Sequence, residues 1–201
     1  GFSAGLHNIN IGYQTGYLME LGDGNVFLGY QAGYSTSYGR DNIFVGSLAG
    51  KDNLEGEDNN YQGFKAGYFQ RNSNFNIGIG HQALQGESGN NANAGHYNIA
   101  LGYQAGYSKT IGEYNIFQGY QAGYSNTTGA NNLFMGNSAG YSNLTGSRNI
   151  FLGYQAGYSE TLSDRLYIDN SDSASPLIYG EFDKKAVLLE ELKKFREFLD
   201  Q

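Results

Sequence analysis

Residues 136–140 read GNSAG, the G-x-S-x-G spacing of a nucleophile elbow, where a serine stands on a sharp strand-to-helix turn. That chemistry needs a histidine within hydrogen-bond reach of Ser138. His7, His81 and His96 stand at unrelated places in the sequence pattern, so they form no shared site. The acidic stretches DNLEGEDNN (52–60) and IDNSD (168–172) offer oxygen ligands for Ca²⁺. Neither carries the D-x-[DN]-x-[DN]-G loop, and solvated turns are the plainer reading. A glycan-degrading enzyme on a β-solenoid would want several carboxylates clustered on one wall. The acids here are scattered among turns. NTT (126–128) and NLT (143–145) fit the N-glycosylation pattern, with nothing else to mark a secretory host. The expectation is a non-catalytic chain without metal or cofactor.

Composition narrows the class further. The chain has 201 residues, with 31 Gly, 18 Tyr, one Pro, no Cys and no Trp. Glycine at this level without proline excludes collagen, and the missing cysteines exclude a disulfide framework. A net charge of −7 disfavours nucleic acid, whose binding rests on Lys and Arg at phosphates. No run approaches the roughly 20 apolar residues of a membrane span. No charged and then apolar leader opens the chain, which starts in the middle of a repeat and reads as a piece of a longer fibre.

The elements that position these residues are set by a repeat. Asn8, Asn25, Asn42, Asn59, Asn76, Asn98, Asn115, Asn132 and Asn149 follow one another at steps of 17 residues, with a single step of 22 between Asn76 and Asn98. A fixed period of this length marks a solenoid. With each Asn as position 0, Gly fills +4 in every repeat, +8 in all but one (Leu84), and +14 in most. These glycines read as corners. Positions 0 to +3 (N-I-F-L) predict one short strand, and +5 to +10 (Y-Q-A-G-Y-S) a second. The fold class expected is all-β: a parallel β-roll, or β-solenoid, of 17-residue coils stacked at about 4.8 Å, roughly 50 Å long. Identical Asn side chains one coil apart suit a hydrogen-bonded ladder.

Strand one alternates. Positions +1 and +3 hold Ile9/Ile11, Val26/Leu28, Ile43/Val45 and Ile150/Leu152, which suit the interior of the roll. Position +2 then faces outward with Phe27, Phe44, Tyr61, Phe117, Phe134 and Phe151. An aromatic stripe of that length predicts an oligomer interface at Phe27, Phe44, Phe117, Phe134 and Phe151. Tyrosines recur at +5 (Tyr13, Tyr30, Tyr103, Tyr120, Tyr154) and +9 (Tyr17, Tyr34, Tyr68, Tyr107, Tyr124, Tyr141, Tyr158). Stacked packing is the plain reading of these rows, and an aromatic platform for ligands the functional one.

Three segments follow: repeats over 1–165, a capping or neck segment over 166–183, and a coiled-coil helix over 184–201. Leu188, Leu192, Phe195 and Leu199 have coiled-coil spacing and are the second set of predicted interface residues.

The repeat N-[IV]-x-[LIV]-G followed by x-x-A-G resembles the head repeats of trimeric autotransporter adhesins (YadA-like heads). NIFLGYQAGYSNTTG also looks like the GYQAGY arrays of bacterial and phage tail-fibre-type proteins, and LYIDNSDSASPLIYGEF (166–182) like the segment that closes such arrays. The resemblance covers residues 1–183 and implies a left-handed roll and a homotrimer. The adhesin repeat is usually shorter, at 14 residues against 17 here. It implies a non-catalytic, extracellular fibre on a cell surface or virion, binding a cell-surface protein or glycan, or else a purely structural spacer of a tail fibre. Ligand contacts are expected at turn positions +11 to +16 and on the longer loop 86–95, with Glu87, Asn90, Asn91 and Asn93 as candidates.

Overall fold

In each repeat the three residues between the Asn and its glycine corner, most often aliphatic or aromatic, form one short strand. The computed structural model describes residues 5–88 and 94–189. It is an all-β parallel solenoid. Nine such strands follow one another: β1 (Ile9–Ile11), β2 (Val26–Leu28), β3 (Ile43–Val45), β4 (Asn60–Gln62), β5 (Ile77–Ile79), β6 (Ile99–Leu101), β7 (Ile116–Gln118), β8 (Leu133–Met135) and β9 (Ile150–Leu152). Each pairs in parallel with the next at equivalent repeat positions, Phe27 beside Phe44 and Phe117 beside Phe134. β10 (Arg165–Ile168) continues the parallel order on β9. β11 (Ile178–Glu181) and β12 (Ala186–Leu189) then add antiparallel. The edge of the sheet therefore changes direction where the Asn and Gly pattern stops.

The interior is the reverse of the predicted one. Phe27, Phe44, Tyr61, Phe117, Phe134 and Phe151 are all fully buried within a single chain. They stack along the axis, Phe27 on Phe44 at 4.9 Å and Phe134 on Phe151 at 4.6 Å. Phe27, Phe44, Phe117, Phe134 and Phe151 are thus core residues and present nothing to a partner. The reason is parity. The Asn side chains at position 0 are buried, so +2 shares their inward face and +1 and +3 must point out.

What faces the phenyl rings across the roll is small. Ala32, Ala49, Ala105, Ala122, Ala139 and Ala156 at +7 are fully buried, and the +8 glycines lie against the rings. A Cβ on Gly33 would stand 2.5 Å from the Phe27 ring. The exception is instructive. In the fifth repeat +2 is Gly78, and there +8 is Leu84, whose Cδ1 lies 3.5 Å from where a Gly78 Cβ would be. Leu84, almost fully buried, fills the space that a phenyl ring occupies elsewhere.

The second wall is not a strand. Positions +5 to +10 form consecutive turns. Position +6 takes positive φ with non-glycine residues, Gln14, Gln31, Gln104, Gln121 and Gln155 among them, all between 51° and 54°. The following +8 glycines also lie at positive φ, and two left-handed residues so close together forbid extended backbone. Coils still bond to each other here, as when the Gly33 N–H donates to Ala49 O at 3.0 Å.

The helix expected from residue 184 is contradicted at its start, because Ala186–Leu189 pairs as a strand with Ile178–Glu181. Pairing the open edge of β11 outweighs the helical period of a segment this short. Leu188 sits opposite Tyr179 in that ladder. Leu192, Phe195 and Leu199 lie outside the described residues. No helix among the described residues is long and apolar enough to cross a membrane.

Candidate functional site

The Asn column holds the coils in register. From Asn25 to Asn132 the Asn backbone N–H and side-chain Nδ2 both donate to Oδ1 of the Asn before it, and Asn149 does so through its backbone N–H alone. Asn42 does so to Asn25, both at 3.0 Å, and its Nδ2 also donates to Gly56 O at 2.7 Å. The column crosses the long repeat without a break, the Asn98 N–H donating to Asn76 Oδ1 at 2.8 Å. It runs from Asn8 through Asn59, Asn115, Asn132 and Asn149, and ends where the Arg165 N–H donates to Asn149 Oδ1. It is internal and offers no ligand surface.

The outward wall of the strands is aliphatic. Ile9, Ile11, Leu28, Ile43, Ile77, Ile79, Ile116 and Met135 are exposed, Ile11 at 59 %. Val45, Leu101, Leu133, Ile150 and Leu152 between them are half-buried. The wall runs along β1 to β9, is interrupted by Asn60 and Gln62 on β4 and by Gln118 on β7, and is covered by none of the described residues.

Three aromatic columns, two exposed and one half-buried, run along the roll. At +5, Tyr103 stacks on His81 and on Tyr120, each at 5.1 Å, and His81 on Phe64 at 5.0 Å. At +9, Tyr107, Tyr124, Tyr141 and Tyr158 form an unbroken stack with spacings of 4.9 to 5.0 Å. The third column was not legible as a repeat: Phe75, Tyr97 and Tyr114 at position −1 stack at 5.0 Å. Inside a stack each ring face is covered by the next ring, so only edges and hydroxyls meet solvent. Faces open only where a column is interrupted.

The +9 column is interrupted twice. Lys51 fills the first gap, its Nζ lying 5.6 Å from the Tyr34 ring and 5.2 Å from the Tyr68 ring, a cation held between two aromatic faces. Gln85 stands in the second, between Tyr68 and Tyr107. An open cleft of about 460 Å³ lies at that gap, lined by Lys65, Phe69, Gln85, Glu87, Tyr107 and Ser108 among others. Glu87, expected to touch ligand, is exposed and lines it. Asn90, Asn91 and Asn93 lie outside the described residues.

Position +11 corrects another expectation. It points inward: Thr36, Asn53, Lys109, Asn126 and Asn143 are all buried. The Asn126 and Asn143 acceptor patterns are therefore closed to glycosylation in the folded chain. Thr36 Oγ1, both polar side-chain atoms of Asn53, and Asn126 Oδ1 have no hydrogen-bond partner among the described residues. Lys109 is 1 % exposed, its Nζ donating to Thr127 O at 3.4 Å. Burial, only partly offset by Glu113, pushes its ammonium down to about 7. Its corner adjoins the long repeat, where Gln70 Nε2 donates to both Leu84 O and Lys109 O at 3.1 Å.

The residues that suggested chemistry are structural. Ser138 Oγ donates to Asn137 Oδ1 at 2.9 Å, a carboxamide that cannot serve as a base. His7 Nδ1 lies 3.3 Å from Asp23, His81 is stacked as described, and the Asn74 N–H donates to His96 Nδ1 at 3.0 Å. No group of three or more His, Asp or Glu side chains converges among the described residues. No family model, curated protein or solved structure matches this chain.

Proposed function

We propose that this chain is a segment of a non-catalytic homotrimeric fibre, displayed outside a cell or on a virion, that adheres to a cell-surface protein or glycan. The observation that carries the reading is the largely aliphatic outward wall of β1 to β9, broken only by Asn60, Gln62 and Gln118. Nine strands at about 4.8 Å make it roughly 40 Å long, more apolar surface than a soluble monomer ordinarily leaves to water. Copies set side by side in register match aliphatic rows with aliphatic rows on either side of the polar β4, as strands apolar on both faces require. The number three and a left-handed winding rest on the resemblance to the adhesin heads. Light scattering tests the assembly: a trimer is expected, and a stable monomer in dilute buffer overturns it.

A spacer without ligands, as in the shaft of a tail fibre, is the second reading. It is favoured by the stacked tyrosines, whose covered faces leave little for a ligand to grip. Glycan-array and cell-binding assays on the assembled protein and on a variant lacking 86–94 separate the two. Binding that the deletion removes supports adhesion, and no binding by either form supports the spacer.

A further inference from the structure

In every strand from β1 to β9 except β4 and β7 both outward residues are apolar. β4 carries Asn60 and Gln62 in their place, and β7 carries Gln118 beside Ile116. The two amides of β4 are bonded to each other, Gln62 Nε2 donating to Asn60 Oδ1 at 2.9 Å. That bond leaves Asn60 Nδ2 to donate and Gln62 Oε1 to accept, with no partner for either among the described residues. The pair is therefore a donor at one end and an acceptor at the other. A second copy of the same pair supplies what each end lacks.

The level of the neighbouring copy decides whether the two ends meet. One coil to either side, Asn60 adjoins Ile43 and Ile77, and Gln62 adjoins Val45 and Ile79. A neighbour slipped by one coil sets both amides against aliphatic side chains, where they lose water and gain no hydrogen bond. A slip of three coils brings β4 against β7, yet one of the two amides then faces Ile116 and three strands at each end lie uncovered. Without slip, Asn60 of one copy meets Gln62 of the next. Absence of slip is also what lets a head-to-tail ring close, because copies that step along the axis run on into open assemblies.

We propose that Asn60 and Gln62 fix the level at which copies of this chain associate, Asn60 Nδ2 of each copy donating to Gln62 Oε1 of the next, so that the rods pack parallel and close into a ring. A polar position within an apolar interface sets register in this way, at some cost in stability. The inference rests on the reading that copies meet through the strand wall. It adds which residues choose the arrangement.

Double electron–electron resonance on the intact chain tests it. The sequence has no cysteine, so Thr128→Cys, an exposed position in the seventh repeat, carries a single spin label per chain. Copies at one level give one label–label distance, and each coil of slip adds an axial offset of about 4.8 Å and so longer distances. Asn60→Ile/Gln62→Leu gives β4 the outward residue types of β6, and Gln62→Met removes the acceptor alone. One narrow distance is expected with the native pair, and a distribution at least twice as wide with either variant. Far-UV circular dichroism confirms that each variant keeps the roll. Several distances with the native pair, or an unchanged width in both variants, overturn the assignment. Sedimentation of the same samples keeps the two failures apart: a monomer with the native pair overturns the assignment together with the fibre reading, whereas an assembly indifferent to both variants overturns the assignment alone.

Discussion

Asn59 and Asn53 share residue type and depth of burial, yet only the Asn59 side chain is hydrogen-bonded. Asn59 Nδ2 donates to Asn42 Oδ1 at 3.0 Å and to Ser73 O at 2.6 Å, and its Oδ1 accepts from the Asn76 N–H at 3.1 Å. Neither polar atom of the Asn53 side chain has a partner. Burial of a carboxamide is therefore stabilising at Asn59 and neutral or worse at Asn53.

Asn59→Ala orphans a buried carbonyl and a buried N–H, each worth about 1–3 kcal/mol, so a loss of about 3 kcal/mol is expected. Asn53→Ala removes two unpaired atoms and is expected to change stability by less than about 1 kcal/mol. Urea unfolding of the two variants checks this, and equal losses would contradict the distinction drawn between Asn59 and Asn53.

The fifth coil predicts a compensating pair. Leu84→Gly opens a cavity beside Gly78 and is expected to destabilise by about 2 kcal/mol or more. Gly78→Phe places a ring where Leu84 already stands, with overpacking of about 1–3 kcal/mol. The double variant rebuilds the arrangement of the other coils. Its loss is expected to fall short of the sum of the two by more than about 1 kcal/mol, and additivity would show that the two residues do not share one space.

Lys109 makes stability depend on pH in a stated direction. Its folded pKa, about 7, lies below the ordinary lysine value of 10.5, so between these values the unfolded chain holds the extra proton. The contribution of the neutral lysine is full above 10.5, fades as pH falls through that window, and is gone below about 7. Relative to Lys109→Met, the wild type should gain at most about 1.4 kcal/mol per pH unit between pH 7 and 10.5. Parallel thermal-melting profiles of the two proteins over that range would contradict the burial of this amine.

Much of this was legible from residue types. The period, the Asn column and the corner glycines follow from spacing alone. The inside of the roll was also legible, though only through parity. Ile and Phe are both apolar, so alternation separates two faces without saying which is inside. The Asn ladder decides it, because an inward position 0 carries +2 with it, and small Ala and Gly at +7 and +8 leave room for the rings. Leu84 replacing the +8 glycine in the repeat whose +2 residue is Gly78 gave the same signal. The turn wall was not legible, because the Gln residues at +6 carry no mark of positive φ. Nor was the inward +11 column, whose Thr, Asn and Lys look like turn residues. The cleft depends on where a column breaks beside a long loop. That is a relation among Gln85, Phe69 and Tyr107 with no motif of its own.

Sedimentation equilibrium tests the central claim most directly, by comparing the wild type with Ile79→Asp/Ile116→Asp and with Gln31→Glu, a change away from the wall. Both aliphatic residues are exposed on one chain, so charging them leaves the roll folded by circular dichroism. The wild type and Gln31→Glu are expected at three times the 21.9 kDa chain mass, and the doubly charged variant at the chain mass itself. A wild type that sediments as a monomer, or a trimer that survives two aspartates in its wall, would contradict the account.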